Sequence, residues 1–408
     1  MSGDKKGIVH NKKQSVLMWT LLVIALVQMP MLALTPAINL IQTQAFPDKT
    51  LAQIQTVLGL TNLVSVATSI VAAFLINRGK ATKKSAVVFG LVMLSLTGLF
   101  AILLNTQFWH FVALCVILGL SSGCFMTNAF GLMFDNFDDE NRQRVAGYQT
   151  SAINMGGILF SLAGGVLATL IWYGGYLLLL AGLPIAVLAF ITIPYYKSPS
   201  AKVSGNTTEE SKLNPRIFYY AGITFLFLMV YSVCSTNIST HIANLGNSAT
   251  SGILVAILMG GGVVSGLFFG RLSDRFGDMV MVMACMALFI GYLLIGVFSS
   301  SLIMITIGVF IAGTSLSIML PRCVYSVSRL VDSSKSATAT VISTSIAPSM
   351  GGFLSPIVFT NLTNALYKDS TVFRYLFMAG VVLVFGLTIA LITLIRAKKE
   401  KAILLTVK

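Results

Sequence analysis

Charge is what this sequence has least of. Asp, Glu, Lys and Arg together make up 10% of the 408 residues, against roughly 25% in an ordinary soluble domain. Thirteen acids and three histidines leave little from which to assemble a general acid–base pair or a metal centre. The chain is therefore not expected to be an enzyme, and no cofactor or metal is called for. Five cysteines, Cys115, Cys124, Cys234, Cys285 and Cys323, all fall within or beside apolar stretches and show no CxxC spacing. An odd number so placed implies neither a disulfide framework nor a zinc knuckle. A net charge of +14 would suggest an anionic partner in a soluble protein, but in a chain this apolar it is first a matter of topology.

What is abundant is apolar sequence: 56% hydrophobic residues and a mean hydropathy of +0.87. One anchor of about 20 residues could not account for this. Long stretches poor in charge run Val16 to Ile41, Ala52 to Ile76, Ser85 to Leu104, Phe108 to Phe134, Val145 to Ile171 and Tyr176 to Ile193. A second six follow: Ile217 to Thr240, Ala249 to Phe269, Met279 to Ser299, Leu302 to Val324, Ala337 to Asn361 and Phe373 to Ile395. In lipid such spans must be helices, because open strands leave backbone groups unpaired. The first run follows Lys5, Lys6, Lys12 and Lys13, is too long for a signal-peptide core and lacks a small-residue cleavage site, so it reads as a retained helix. With the N-terminus in the cytoplasm, every Lys and Arg except Lys49, Lys368 and Arg374 falls on the inner side. That bias places both termini inside and accounts for most of the basicity.

The resulting expectation is an all-α membrane protein of twelve transmembrane helices. Residues 1–15 form a cytoplasmic segment, 16–196 a six-helix bundle, 197–216 a polar cytoplasmic linker, 217–396 a second bundle and 397–408 a basic cytoplasmic tail. The two sixes repeat each other. Gly270, Asp274, Arg275 and Gly277 in GRLSDRFGD answer to Ala73, Asn77 and Arg78 at an offset of 274 − 77 = 197, and Gly351 answers to Gly156 at 351 − 156 = 195. Duplicated bundles of this kind are one way transporters are built.

On these features the chain resembles the major facilitator superfamily: six plus six spans, a central linker, and GxxxDRxG in Gly270 to Gly277 between the eighth and ninth spans. The resemblance implies two six-helix pseudo-repeats, a solute site at the interface of the halves, and a cytoplasmic latch drawn from Arg78, Glu140, Arg142, Arg144, Gly270, Asp274, Arg275 and Gly277. Asn77 departs from the pattern by lacking the carboxylate. Gly147, Gly156, Gly164 and Gly165 match the glycine pattern of the fifth span in many exporters of the family, while Phe160 and Ser161 replace its Gly-Pro pair.

No acid or base lies near the middle of any span, which argues against a buried carboxylate as a proton relay. Neutral polar groups are thus the candidates for solute binding: Gln28, Asn39, Asn62, Asn128, Gln149, Asn154, Tyr231, Asn237 and Ser345. Arg322, near the inner end of the tenth span, is a candidate for attracting an anionic solute. The expected function is a secondary transporter of a small organic solute in the plasma membrane, working by alternating access, as an exporter or antiporter and as a monomer, with or without a coupling ion. An organic-anion carrier is the alternative, and a non-transporting membrane receptor or scaffold the reading from another class. The partners implied are the solute and membrane lipid, with no nucleic acid.

Overall fold

A computed structural model describes residues 3–136, 139–194, 215–328 and 345–406. Among these the regular structure is helical, with no strand. The chain divides into two compact units, Met1–Lys212 with Ser248–Gly252, and Leu213–Asn247 with Ile253–Lys408.

In the first unit α1 (Gly3–Leu26) does not run straight to Ile41 as the hydropathy suggests. It breaks before Pro30, and the chain continues through 3-10 turns at Pro30–Ala33 and Thr35–Ala37 and a π turn at Ile41–Ala45. The two parts are bent by 44°. Pro30 and Pro36 explain the break, since each lacks an N–H and its ring excludes the preceding turn from regular helix. Helices α2 (Leu51–Asn77) and α3 (Lys83–Leu103) both open on capping boxes. The Thr50 hydroxyl accepts from the Gln53 backbone at 3.2 Å while the Gln53 side chain accepts from the Thr50 backbone at 2.9 Å, and Thr82 and Ser85 repeat the exchange at 3.1 and 2.9 Å. Two otherwise orphaned donors are satisfied at each start. Then come α4 (Phe108–Asn136), α5 (Asp139–Leu170) and α6, a span from Gly174 to Thr192 interrupted by a 3-10 turn at Leu178–Ala181.

The second unit holds α7 (Pro215–His241), α8 (Ser248–Phe276) from Ile253 onward, α9 (Met279–Val297) and α10 (Leu302–Ser328). The turn between α8 and α9 depends on Gly277, whose φ of +55° lies in the left-handed region that costs a side chain strain. The span expected at Ala337 to Asn361 begins outside the described residues. Within them it comprises α11 (Ala347–Ser355), a π turn at Pro356–Thr360 and a last piece at Asn361–Leu366, five residues beyond the expected end. The chain closes on α12 (Thr371–Thr406). Among the described residues, ten helices are long and apolar enough to cross a membrane, and the bent pair in the first span makes an eleventh. Large apolar side chains such as Leu103, Trp109, Leu170, Ile191, Leu267 and Ile303 are exposed along them. So much exposed apolar surface suits a hydrocarbon solvent and would be a liability in water.

The duplication is visible as repeated close contacts of backbone on glycine. A Cβ on Gly156 of α5 would stand 1.9 Å from the Leu26 carbonyl oxygen of α1, and one on Gly351 of α11 would stand 2.4 Å from the Phe225 oxygen of α7. Likewise Gly119 of α4 seats the Thr61 carbonyl of α2 at 2.7 Å, and Gly313 of α10 seats Leu258 of α8 at 2.0 Å. First helix on fifth and second on fourth recur in each unit, with glycine removing the side chain that would hold the backbones apart.

Candidate functional site

The first unit presents two buried amides with nothing to bind. Gln28 lies in the break between α1 and the Pro30 turn, 1% exposed, and Gln149 lies on α5 at 0%. Neither the Nε2 nor the Oε1 of either has a hydrogen-bond partner in the protein. Gln149 and Gly156 are seven residues apart, two turns on one helix face, so this amide is on the side of α5 that packs on α1. A buried polar group left unpaired costs about 1–3 kcal/mol, and four such atoms on two residues are a concentration that folding alone does not favour.

The other neutral candidates are placed differently. Asn154 on α5 and Asn39 in the broken part of the first span are half-buried, and Asn62 on α2 is exposed. Asn128 is buried on α4, where its amide donates to the Cys124 carbonyl of the preceding turn at 2.7 Å. Ser345 is half-buried in the turn leading into α11. Tyr231 of α7 is buried, its ring stacked on Phe227 at 6.0 Å and its hydroxyl unpaired in the protein.

Asn237 serves another residue. Its side-chain oxygen accepts from Nη1 of Arg374, a guanidinium 1% exposed at the start of α12. Arg374 Nε donates to Thr363 Oγ1 at 3.0 Å and Nη2 to Asn364 Oδ1 at 2.6 Å. One cation thus ties α7 and the last piece of the broken eleventh span to α12. Beside it His241 is buried: Nδ1 meets Thr371 Oγ1 at 2.9 Å, Nε2 meets the Ile295 carbonyl at 3.3 Å, and the ring packs edge-on to Tyr375.

At the α8–α9 turn the structure departs from the latch expected there. Asp274 and Arg275 are exposed; Asp274 makes no hydrogen bond or ion pair, and the Arg275 guanidinium rests near the ring of its neighbour Phe276 at 5.4 Å. Gly270 does not mediate a close approach, since a Cβ there would meet nothing within 4 Å. The acid that is engaged is Asp278. Its Oδ1 accepts from Nε and Nη2 of Arg322 at 2.9 and 2.7 Å, and its Oδ2 from the Tyr220 hydroxyl at 3.1 Å. Arg322 Nη1 also donates to Ser273 Oγ at 2.9 Å. Arg322, nominated for a solute anion, is therefore occupied by a carboxylate of its own unit. In the first unit Arg78 is exposed with its guanidinium over the Phe74 ring at 4.1 Å. The side chains of Asn77, Glu140, Arg142 and Arg144 lie outside the described residues.

Sequence reasoning missed Asp278, Ser273, Tyr220 and Arg374. A signal existed for the first of these: Asp278 directly follows the signature glycine, and Arg322 is a charge within an otherwise apolar span. Arg374 offered only its neighbourhood of Asn361, Thr363 and Asn364.

A profile of the Major Facilitator Superfamily matches residues 15–356 and again 220–406. No curated protein sequence matches. Among solved structures, the nucleoside transporter NupG is similar with a TM-score of 0.72 at 14% identity, over 92% of this chain and 98% of that one. The peptide transporter POT in complex with sulfate gives 0.71 at 13% identity over 94% of each chain. A bacterial homolog of the human lysosomal transporter Spinster, inward-facing and unoccupied, gives 0.64 at 13% over 94% and 95%. At these identities the likeness is one of fold, while the profile spans nearly the whole sequence. This chain, with its paired glycine seats and its signature turn, belongs to the Major Facilitator Superfamily.

Proposed function

We propose that the protein is a secondary transporter of a small polar organic solute, working by alternating access in the plasma membrane with both termini cytoplasmic. The observation that carries this reading is the pair of buried, unpartnered amides at Gln28 and Gln149. A site built to hydrogen-bond a solute leaves its own groups unpaired until the solute arrives, and apolar walls with a few placed polar groups are the usual lining. In the second unit the buried Tyr231 hydroxyl is likewise without a partner in the protein. Each amide offers a donor and an acceptor, which favours a solute with both.

Export by exchange is the direction we favour, on the fifth-span glycines Gly147, Gly156, Gly164 and Gly165. Because no carboxylate lies near midspan in the sequence, flux is expected either not to respond to an imposed proton gradient or to couple through groups at the membrane edges or on the solute itself. The alternative, an organic-anion carrier, draws on the buried cation Arg374 and no longer on Arg322.

The test is a thermal-stabilisation screen on purified protein, beginning with nucleosides and short peptides, the solutes named for the structural neighbours, followed by flux of any hit in proteoliposomes. A hit whose flux falls tenfold or more in Gln28→Leu supports the reading. A hit carried equally well by Gln28→Leu and Gln149→Leu contradicts it.

A further inference from the structure

Arg374 is the bulkiest of the fully buried side chains, and its surroundings are chemically one-sided. A guanidinium carries five N–H donors and no acceptor. Three are taken by neutral oxygens of Asn237, Thr363 and Asn364, leaving two with no protein partner. Among the described residues no ion pair within 4.0 Å reaches it, although Asp369 stands five residues before it on the exposed turn, next to the exposed Lys368. The histidine of the same cluster, His241, has both ring nitrogens engaged by Thr371 and Ile295. Buried charges are ordinarily paired, and Arg322 in the same unit is, with Asp278.

Two further features point to a ligand. The Thr240 hydroxyl, one turn along α7 from Asn237, is buried and has no partner in the protein. Asn364 is only half-buried, and Asn361, Tyr367 and Asp369 near it in the chain are exposed, so the guanidinium's shell reaches partly exposed surface at Asn364. Asn364 also follows the π turn at Pro356–Thr360, a local irregularity of the kind often found at functional sites.

We propose that Arg374 is a binding site for a small monoanion, either a carboxylate carried by the solute or a free halide, reached by displacement of the Asn364 side chain. The two spare N–H groups match two oxygens of a carboxylate or a single chloride between them. Asp369 opposes such an anion and Lys368 favours it, so the turn carries no net charge from this pair. The site rests on Arg374 and its shell alone. It stands whether or not the two glutamines bind solute.

The test is the melting temperature of the purified full-length protein in neutral detergent, with chloride or acetate titrated at constant ionic strength set by a bulky sulfonate. Saturable stabilisation by chloride that disappears in Arg374→Gln supports a free-anion site. Stabilisation by acetate and not chloride, again lost in Arg374→Gln, supports recognition of a carboxylate. No saturable effect of either ion on the wild type overturns the proposal, as does an effect that persists unchanged in Arg374→Gln. If Arg374→Gln does not fold, Asn364→Ala decides: freeing Nη2 should lower the half-saturating concentration at least twofold, and an unchanged value overturns the proposal.

Discussion

The two units differ most where they should be most alike, at the turn joining their second and third helices. At the start of α3 Lys83 donates to the Gly131 carbonyl of α4 at 3.4 Å. At the start of α9 Asp278 receives Arg322 of α10 in a paired contact at 2.7 and 2.9 Å. Asp278 stands at the N-cap of α9 and Lys83 is the first residue of α3, so both lie at the start of the third helix of their unit. The third-to-fourth helix contact has thus been kept while the charge at the start of the third helix has changed sign, from Lys83 to Asp278. The glycine seats show the reverse: the chemistry and the place are both kept. Packing of backbone on backbone tolerates no side chain, whereas a tie at a helix end can be remade with any donor and acceptor that reach.

The largest effects are expected where the units agree. Gly156→Ala and Gly351→Ala each push a methyl into a carbonyl oxygen of the facing helix, and each should destabilise by about 1–3 kcal/mol. Gly270→Ala, with open space around it, should instead stabilise α8 by up to about 1 kcal/mol through helix propensity. Unfolding of the three variants measured side by side would break the comparison if their order were reversed.

The ties should follow. Asp278→Asn removes a charge-assisted contact that is 13% and 27% exposed on its two side chains, and the loss should be about 1–2 kcal/mol after allowance for screening. Asp274→Asn should stay within about 0.5 kcal/mol of the parent, as an exposed group without a partner does. Equal losses in denaturation of these two variants would restore Asp274 as the working acid of the signature. Lys83→Ala removes the long contact to the Gly131 carbonyl at 3.4 Å, whose loss should cost about 0.5 kcal/mol. A loss matching that of Asp278→Asn would show that the two turns are energetically equivalent after all.

Much of this was legible beforehand, for identifiable reasons. Apolar runs mark spans because lipid leaves the backbone no alternative to helix, and the fixed offset between Gly156 and Gly351 reflects contacts that forbid a side chain. Pro30 and Pro36 are helix breakers on sight, but a proline does not say how the turns around it rearrange. Asn237 was chosen as a neutral polar group of an apolar span, and its partner was invisible: Arg374 sits at a helix start, where a cation reads as a loop charge, and its shell is gathered from two other elements, α7 and the last piece of the eleventh span. Asp278 lay one residue beyond the signature that drew the eye. For Gln28 and Gln149 the apolar setting was plain in the sequence, but that no neighbour satisfies them is a fact of three-dimensional packing.

The central claim is that those two amides are kept for a solute and not for the fold. It is tested most directly by the thermal unfolding of the Gln28→Leu, Gln149→Leu double variant, with and without a solute that stabilises the wild type. Removing buried, unpaired polar atoms should leave the melting temperature of the unliganded protein unchanged or raised, and the solute-induced shift should vanish. A fall of several degrees in the unliganded protein, with the solute-induced shift intact, would contradict it.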